Sequence, residues 1–206
     1  MRPTGWTLSY GSYQCVILLQ ALTALPCNPE IWINLIAQRK EEGASPAVIR
    51  SLLKVAVRNA GKAWDSANLW KFFAMCEIEN GDVSAAVLVL LTAVKMPTDG
   101  QAELLEELRK YLVKYQPGDE VVLMEEAEPS QELLDNITCR RRFEEKLMSF
   151  EGSVTKAEIV TWKEYLDFMR EQSIENKENT ESNDRMSQVQ ALFDRCMDTR
   201  VFRNNS

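Results

Sequence analysis

The chain has 206 residues, 45% of them hydrophobic, with a formal net charge of −7: ample apolar material for a core, and a balance that argues against a surface built to hold a nucleic-acid backbone. It contains no histidine, which removes the usual general base, the Ser-His and Cys-His pairs, and histidine-ligated zinc. Only 8 glycines and 7 prolines stand against many Leu, Glu, Ala and Lys, a composition that favours helix over strand.

Residues 1–11, with two glycines and a proline, read as irregular. From Ser12 the spacing of Cys15, Leu18, Leu19, Leu22 and Leu25 predicts a helix that stops at Pro26. Asn28 is placed to cap the next helix with Pro29 in its first turn, and Ile31, Trp32, Leu35, Ile36 and Arg39 carry it to Gly43. Ser45-Pro46 is a second cap-and-proline start. Its stripe is Val48, Ile49, Leu52, Leu53, Ala56 and Val57, ending near Gly61. Asp65 or Ser66 then caps a helix whose Leu69, Trp70, Phe73 and Cys76 fall on one face. Gly81 supplies the positive φ that a helix C-terminus prefers, and Val83, Ala86, Val87, Leu90, Leu91 and Val94 form the following stripe. A further helix, Gln101 to Tyr115, turns Leu104, Leu105, Leu108, Tyr111 and Leu112 inward before Pro117-Gly118 breaks it.

Residues 119–130 hold five acids and no base and read as a solvated linker, the alternative being an acidic segment that binds a partner. Pro129-Ser130 begins a helix that runs through Leu134, Ile137 and Phe143 to Phe150. Its Arg140-Arg141-Arg142 run is read as a solvated face rather than a nuclear signal. Ala157 to Gln172 carries Trp162, Tyr165, Leu166, Phe168 and Met169. The polar stretch Ser173 to Asp184 reads as a loop. A last helix, Met186 to Met197, has the stripe Val189, Leu192, Phe193 and Cys196, and the chain stops where another unit would begin.

Trp32 and Trp70 lie 38 residues apart, and Gly43 and Gly81 each follow their tryptophan by eleven. Two landmarks at one offset mark an internal repeat of helix pairs. Aromatics at a fixed place in amphipathic repeats are packing residues, so Trp32, Trp70, Phe73, Trp162, Tyr165 and Phe193 are expected to form a structural core rather than a ligand-stacking site. No phosphate-cradling glycine loop, metal-ligand spacing or nucleophile with a base is found, so no catalytic, cofactor or metal residue is named. Glu77, Glu79, Glu106 and Glu107 read as solvent-facing charges. The five cysteines are scattered, without a C-x-x-C pair, and read as reduced, mostly buried thiols. No run of eighteen apolar residues is present, so neither a membrane span nor a signal peptide is expected.

A tryptophan opening the first helix of each pair, followed by an apolar second helix, resembles the half-a-tetratricopeptide (HAT) repeat of RNA-processing factors. Leu18 to Trp32 looks like that family's junction between units, as does Ala93-Val94-Lys95-Met96-Pro97-Thr98. Arg142-Phe143-Glu144-Glu145, Thr161 to Phe168, and Ala191-Leu192-Phe193-Asp194-Arg195-Cys196 are similar to the middle of the pre-mRNA-processing factor 39 family. Asn68-Leu69-Trp70 with Glu77 to Gly81 fits its preceding unit. The resemblance, that of a truncated or divergent member, implies an all-α, right-handed solenoid of about three HAT units: a block at 1–115, an acidic linker at 116–130, and an incomplete block at 131–206. It implies a nuclear, non-catalytic scaffold of pre-mRNA splicing that touches protein subunits within or beside the U1 small nuclear ribonucleoprotein and supports 5′ splice site recognition, with RNA contacted indirectly. Dimerisation is not carried over, because the family's later repeats are missing. The alternatives are a scaffold of pre-mRNA 3′-end cleavage or ribosomal RNA maturation, and direct RNA binding through Arg140–Arg142 and Lys146.

Overall fold

The computed structural model describes residues 10–150 and 155–175, and beyond them Val189, Leu192, Phe193, Arg195 and Cys196. Every regular element among the described residues is a helix. They are α1 (Tyr10–Ala24), α2 (Pro29–Glu41), α3 (Pro46–Ala60), α4 (Ala67–Glu79), α5 (Val83–Ala93), α6 (Gln101–Tyr115), α7 (Glu120–Glu126), α8 (Gln131–Met148) and α9 (Lys156–Glu175). The all-α reading holds. The helix begins at Tyr10 rather than Ser12, and α9 runs on through Glu175, three residues into the stretch expected to be a loop. The remainder of that stretch, and most of the expected last helix, lie outside the described residues; the five described positions of that helix are helical where they carry an assignment.

Boundaries follow local chemistry. Asn28 caps α2 by accepting from the Ile31 amide at 3.1 Å, with Pro29 in the first turn. Asp82 caps α5 through the Ala85 amide at 3.0 Å, and Ser130 caps α8 through the Leu133 amide at 3.2 Å. Each satisfies an amide that has no partner inside its helix. Gly43 and Gly81 end α2 and α4 at φ of +82° and +78°. That left-handed conformation is strained for any residue with a Cβ, which is why the two glycines recur at the same distance from their tryptophans.

Consecutive helices from α1 to α7 pack in sequence, and α2 also touches α4, as α4 touches α6. Contact between neighbours and next-but-one neighbours makes a stacked array, a helical solenoid. Two cores run through it. One gathers Cys15, Leu22, Trp32, Leu35, Ile36, Ile49, Leu53 and Ala56 from α1–α3 with Leu69, Phe73 and Cys76 of α4. The other gathers Ala67, Trp70 and Ala74 of α4 with buried residues of α5 and α6 and with Ala127 after α7. Helix α4 therefore serves two cores with two faces, where sequence spacing had put Leu69, Trp70, Phe73 and Cys76 on one. A third core joins α8 and α9 through Leu147, Trp162, Tyr165 and Met169 with Leu192 and Cys196.

The stretch expected to be a solvated acidic linker contains α7. Leu123 and Met124 pack against the α4–α6 core and Ala127 is fully buried, so the apolar residues of this stretch outweigh its acids locally.

Candidate functional site

The tryptophans are set by two equivalent hydrogen bonds. Trp32 donates through Nε1 to the Pro26 carbonyl at 2.7 Å, and Trp70 through Nε1 to the Gly61 carbonyl at 2.8 Å. Each indole thus ties its own helix to the chain leaving the preceding one, satisfying a polar atom that burial would otherwise leave without water. Ser66, expected as a possible cap, instead donates its hydroxyl to the same Gly61 carbonyl at 2.8 Å. Gly61 is glycine for want of room: a Cβ there would stand 2.8 Å from the Trp70 ring. Trp32, Trp70, Phe73, Trp162 and Tyr165 are buried. Phe193 is not: it is 45% exposed, and its neighbours Leu192 and Cys196 face the core instead. The spacing identified the right stripe but included a residue on its edge.

Two charged groups read as solvent-facing are inside. Glu77 is 1% exposed, held by Arg50 of α3, whose Nε donates to Oε1 at 2.8 Å and whose Nη2 reaches both Glu77 and Asp82. Arg140 is 4% exposed. Its Nη1 donates to the Pro97 carbonyl at 2.6 Å, its Nε to the Tyr165 hydroxyl at 3.3 Å, and its guanidinium lies 5.1 Å from the Trp64 ring centre. Tyr165 donates in turn to Glu144 at 3.0 Å, and Glu144 accepts a two-pronged pair from Arg195, with Nη1 at 2.7 Å. A buried ion pair is tolerable only when each partner is hydrogen-bonded, and here each is. The sequence held a signal: Ile137, Arg140, Glu144 and Leu147 share one stripe of α8, all four buried. The next residue, Arg141, pairs with Asp99 at 3.3 Å. The arginine run thus anchors α8 to the loop between α5 and α6.

Burial raises the Tyr165 phenol above the usual range, and Tyr111 is raised first by burial and then by Glu107. A raised phenol contributes stability that is present below the unfolded tyrosine pKa, near 10, and is lost as pH rises through the folded value. In an alkaline titration followed by tyrosinate absorbance, Tyr111 and Tyr165 are expected to ionise above the ordinary tyrosine range, in step with unfolding. Ionisation of both in the ordinary range in the folded chain would contradict it.

All five cysteines are reduced thiols, with Cys15, Cys76 and Cys196 buried. Burial raises the Cys76 thiol, and also that of Cys15, whose Sγ lies 3.4 Å from Glu42. Since the thiolate is the reactive form, a thiol reagent is expected to modify Cys27 and Cys139 well before the other three, as read by mass spectrometry of the native chain.

Among the described residues no group of His, Cys, Asp and Glu could hold a metal ion, and none of the helices is long and apolar enough to cross a membrane. An open depression of about 430 Å³ between α8 and α9 is lined by Glu132, Asp135, Asn136, Cys139, Phe168 and Gln172.

Consecutive stacked helices, with α2 and α4 each fixed by a buried tryptophan, define a helical-repeat solenoid of the HAT kind. Residues 10–110, just under half of the chain, match the family described as PRP39 N-terminal HAT repeat. That span takes in α1 to α5 and most of α6, the block with two cores, and stops short of the α8–α9 region where the quoted motifs were densest. Among curated proteins none matches the chain. HAT-repeat solenoids are typically non-catalytic scaffolds, and the matched family is one of splicing-related proteins.

Proposed function

We propose that the chain is a non-catalytic scaffold of pre-mRNA splicing in the nucleus, making protein contacts within or to the U1 small nuclear ribonucleoprotein that support 5′ splice site recognition. The observation that carries this is the match of residues 10–110 to the PRP39 N-terminal HAT repeat, laid over stacked helices whose buried tryptophans repeat the same tie. Trp32, Trp70, Phe73, Trp162 and Tyr165 serve as the rigid interior, and the contacts belong to the outer faces of the helices. The 116–130 segment, α7 included, is the boundary between two blocks of one array.

Protein contact is favoured over direct RNA binding by the state of the arginines. Arg140 is buried and fully engaged, Arg141 faces Asp99 and Lys146 pairs with Glu164, which leaves the cluster a weak phosphate-binding patch on a chain of net charge −7. The test is an affinity pull-down of the tagged chain from nuclear extract, reading RNA and protein together. Recovery of U1 RNA with its particle proteins supports the reading. Recovery of 3′-end-cleavage or ribosomal-RNA-maturation factors without that RNA would keep the scaffold and overturn its assignment to splicing.

A further inference from the structure

Helix α7 presents an apolar pair that none of the three cores uses. Val121 and Val122 are 70% and 66% exposed, while the next two residues, Leu123 and Met124, pack inward and Ala127 is buried behind them. A helix of seven residues is not stable alone, so those inward contacts fix its orientation, and the outward direction of the valines is fixed with it. Valine is a weak helix former, so nothing in local propensity calls for two in succession on the solvent side.

The charge around them has one sign. Asp119, Glu120, Glu125, Glu126 and Glu128 flank the valines in sequence, and the chain has no Lys or Arg between Lys114 and Arg140. Of these five carboxylates, Glu126 alone has an ion-pair partner among the described residues, Lys95 at 3.5 Å, with both side chains about half exposed. Carboxylates left to solvent around an aliphatic centre leave an uncovered face whose complement is a cation beside an apolar side chain. Another uncovered apolar face, Tyr13, Val16 and Ile17 of α1, lies on a helix with no charged residue, so nothing there specifies what would cover it.

We propose that the outer face of α7 is a docking surface for a basic peptide segment of a protein partner, with an aliphatic side chain seated on Val121 and Val122 and lysines or arginines on the flanking carboxylates. This goes beyond the splicing assignment and does not depend on it. The test is fluorescence anisotropy of the full chain with two labelled peptides of equal charge, one alternating lysine with leucine and one alternating lysine with serine. The lysine–leucine peptide is expected to bind saturably, to weaken as salt is raised, and to bind on the order of tenfold tighter than the lysine–serine peptide, because only the former covers apolar surface. The double variant Val121→Ser/Val122→Ser should abolish that preference, and Glu120→Lys/Glu125→Lys should weaken both peptides; circular dichroism confirms that each variant is folded. Equal affinity for the two peptides, a preference that survives loss of the valines, or displacement of the peptide by a single-stranded RNA that binds the same face would overturn the proposal.

Discussion

Trp70→Ala is expected to destabilise the chain by about 3–5 kcal/mol, the range for deleting a large aromatic from a core. The indole is buried between α4, α5 and α6, so removing it leaves a cavity that the surrounding helices can only partly close. It also removes the Nε1 tie to the Gly61 carbonyl, although Ser66 continues to donate there. Trp70→Phe separates the two effects. It keeps most of the apolar contact, loses the hydrogen bond, and is expected to cost on the order of 1 kcal/mol more than the volume change alone. Gly61→Ala approaches the same site from the other side, because its Cβ would press on the ring; a loss of about 1–3 kcal/mol is expected from overpacking. Urea denaturation followed by far-ultraviolet circular dichroism measures all three. A Trp70→Ala chain within about 1 kcal/mol of the parent would show that the tryptophan is not a core residue.

Tyr165→Ala is expected to be equally damaging, about 3–5 kcal/mol, and to act on a different part of the molecule. The ring is fully buried and stacks on Phe143 at 4.9 Å between centres. Its hydroxyl stands between Arg140 and Glu144, so its loss leaves both charged groups short of a partner in a dry place. Tyr165→Phe keeps the stack and removes only the hydroxyl, for an expected cost of about 1–3 kcal/mol, in the range for hydrogen bonds to charged groups. Because Arg140 also donates to the Pro97 carbonyl, the damage should reach the α5–α6 loop and leave α2 and α3 largely untouched. Limited proteolysis reads this directly, with early cleavage in α8 and α9 while residues 29–60 stay protected. Uniform loss of protection along the chain would sink the separation.

Much of this fold is legible in residue spacing. The six helices of the first block, the stop at Gly81 and the pairing of Trp32 with Trp70 all follow from an apolar period, a cap and a residue that tolerates positive φ. What spacing could not resolve was which neighbour each face would meet. Trp70 and Phe73 are three apart and look like one stripe, yet a helix enclosed on two sides sends them to different cores. Charge misled in the same way. Glu77 lies seven residues after Trp70, on the buried side by period, and was assigned to solvent for its carboxylate; its counter-ion Arg50 sits on another helix, where only the fold can bring it. Arg140 is the same case. The 116–130 segment was judged by its acids, although Leu123, Met124 and Ala127 were enough to hold one short helix against the array.

Helix α4 gives Ala67, Trp70 and Ala74 to one core and Leu69, Phe73 and Cys76 to the other. An amide proton in its middle can therefore meet solvent deuterium only when both cores have come apart, however readily either one breathes alone. Native-state hydrogen exchange should find the slowest amides of residues 10–110 in α4, exchanging at the rate of global opening, while the outermost helix α1 exchanges through smaller fluctuations. A chain built as a row of helix pairs would in that case keep its time by its middle helix, whose opening joins the two cores into one event.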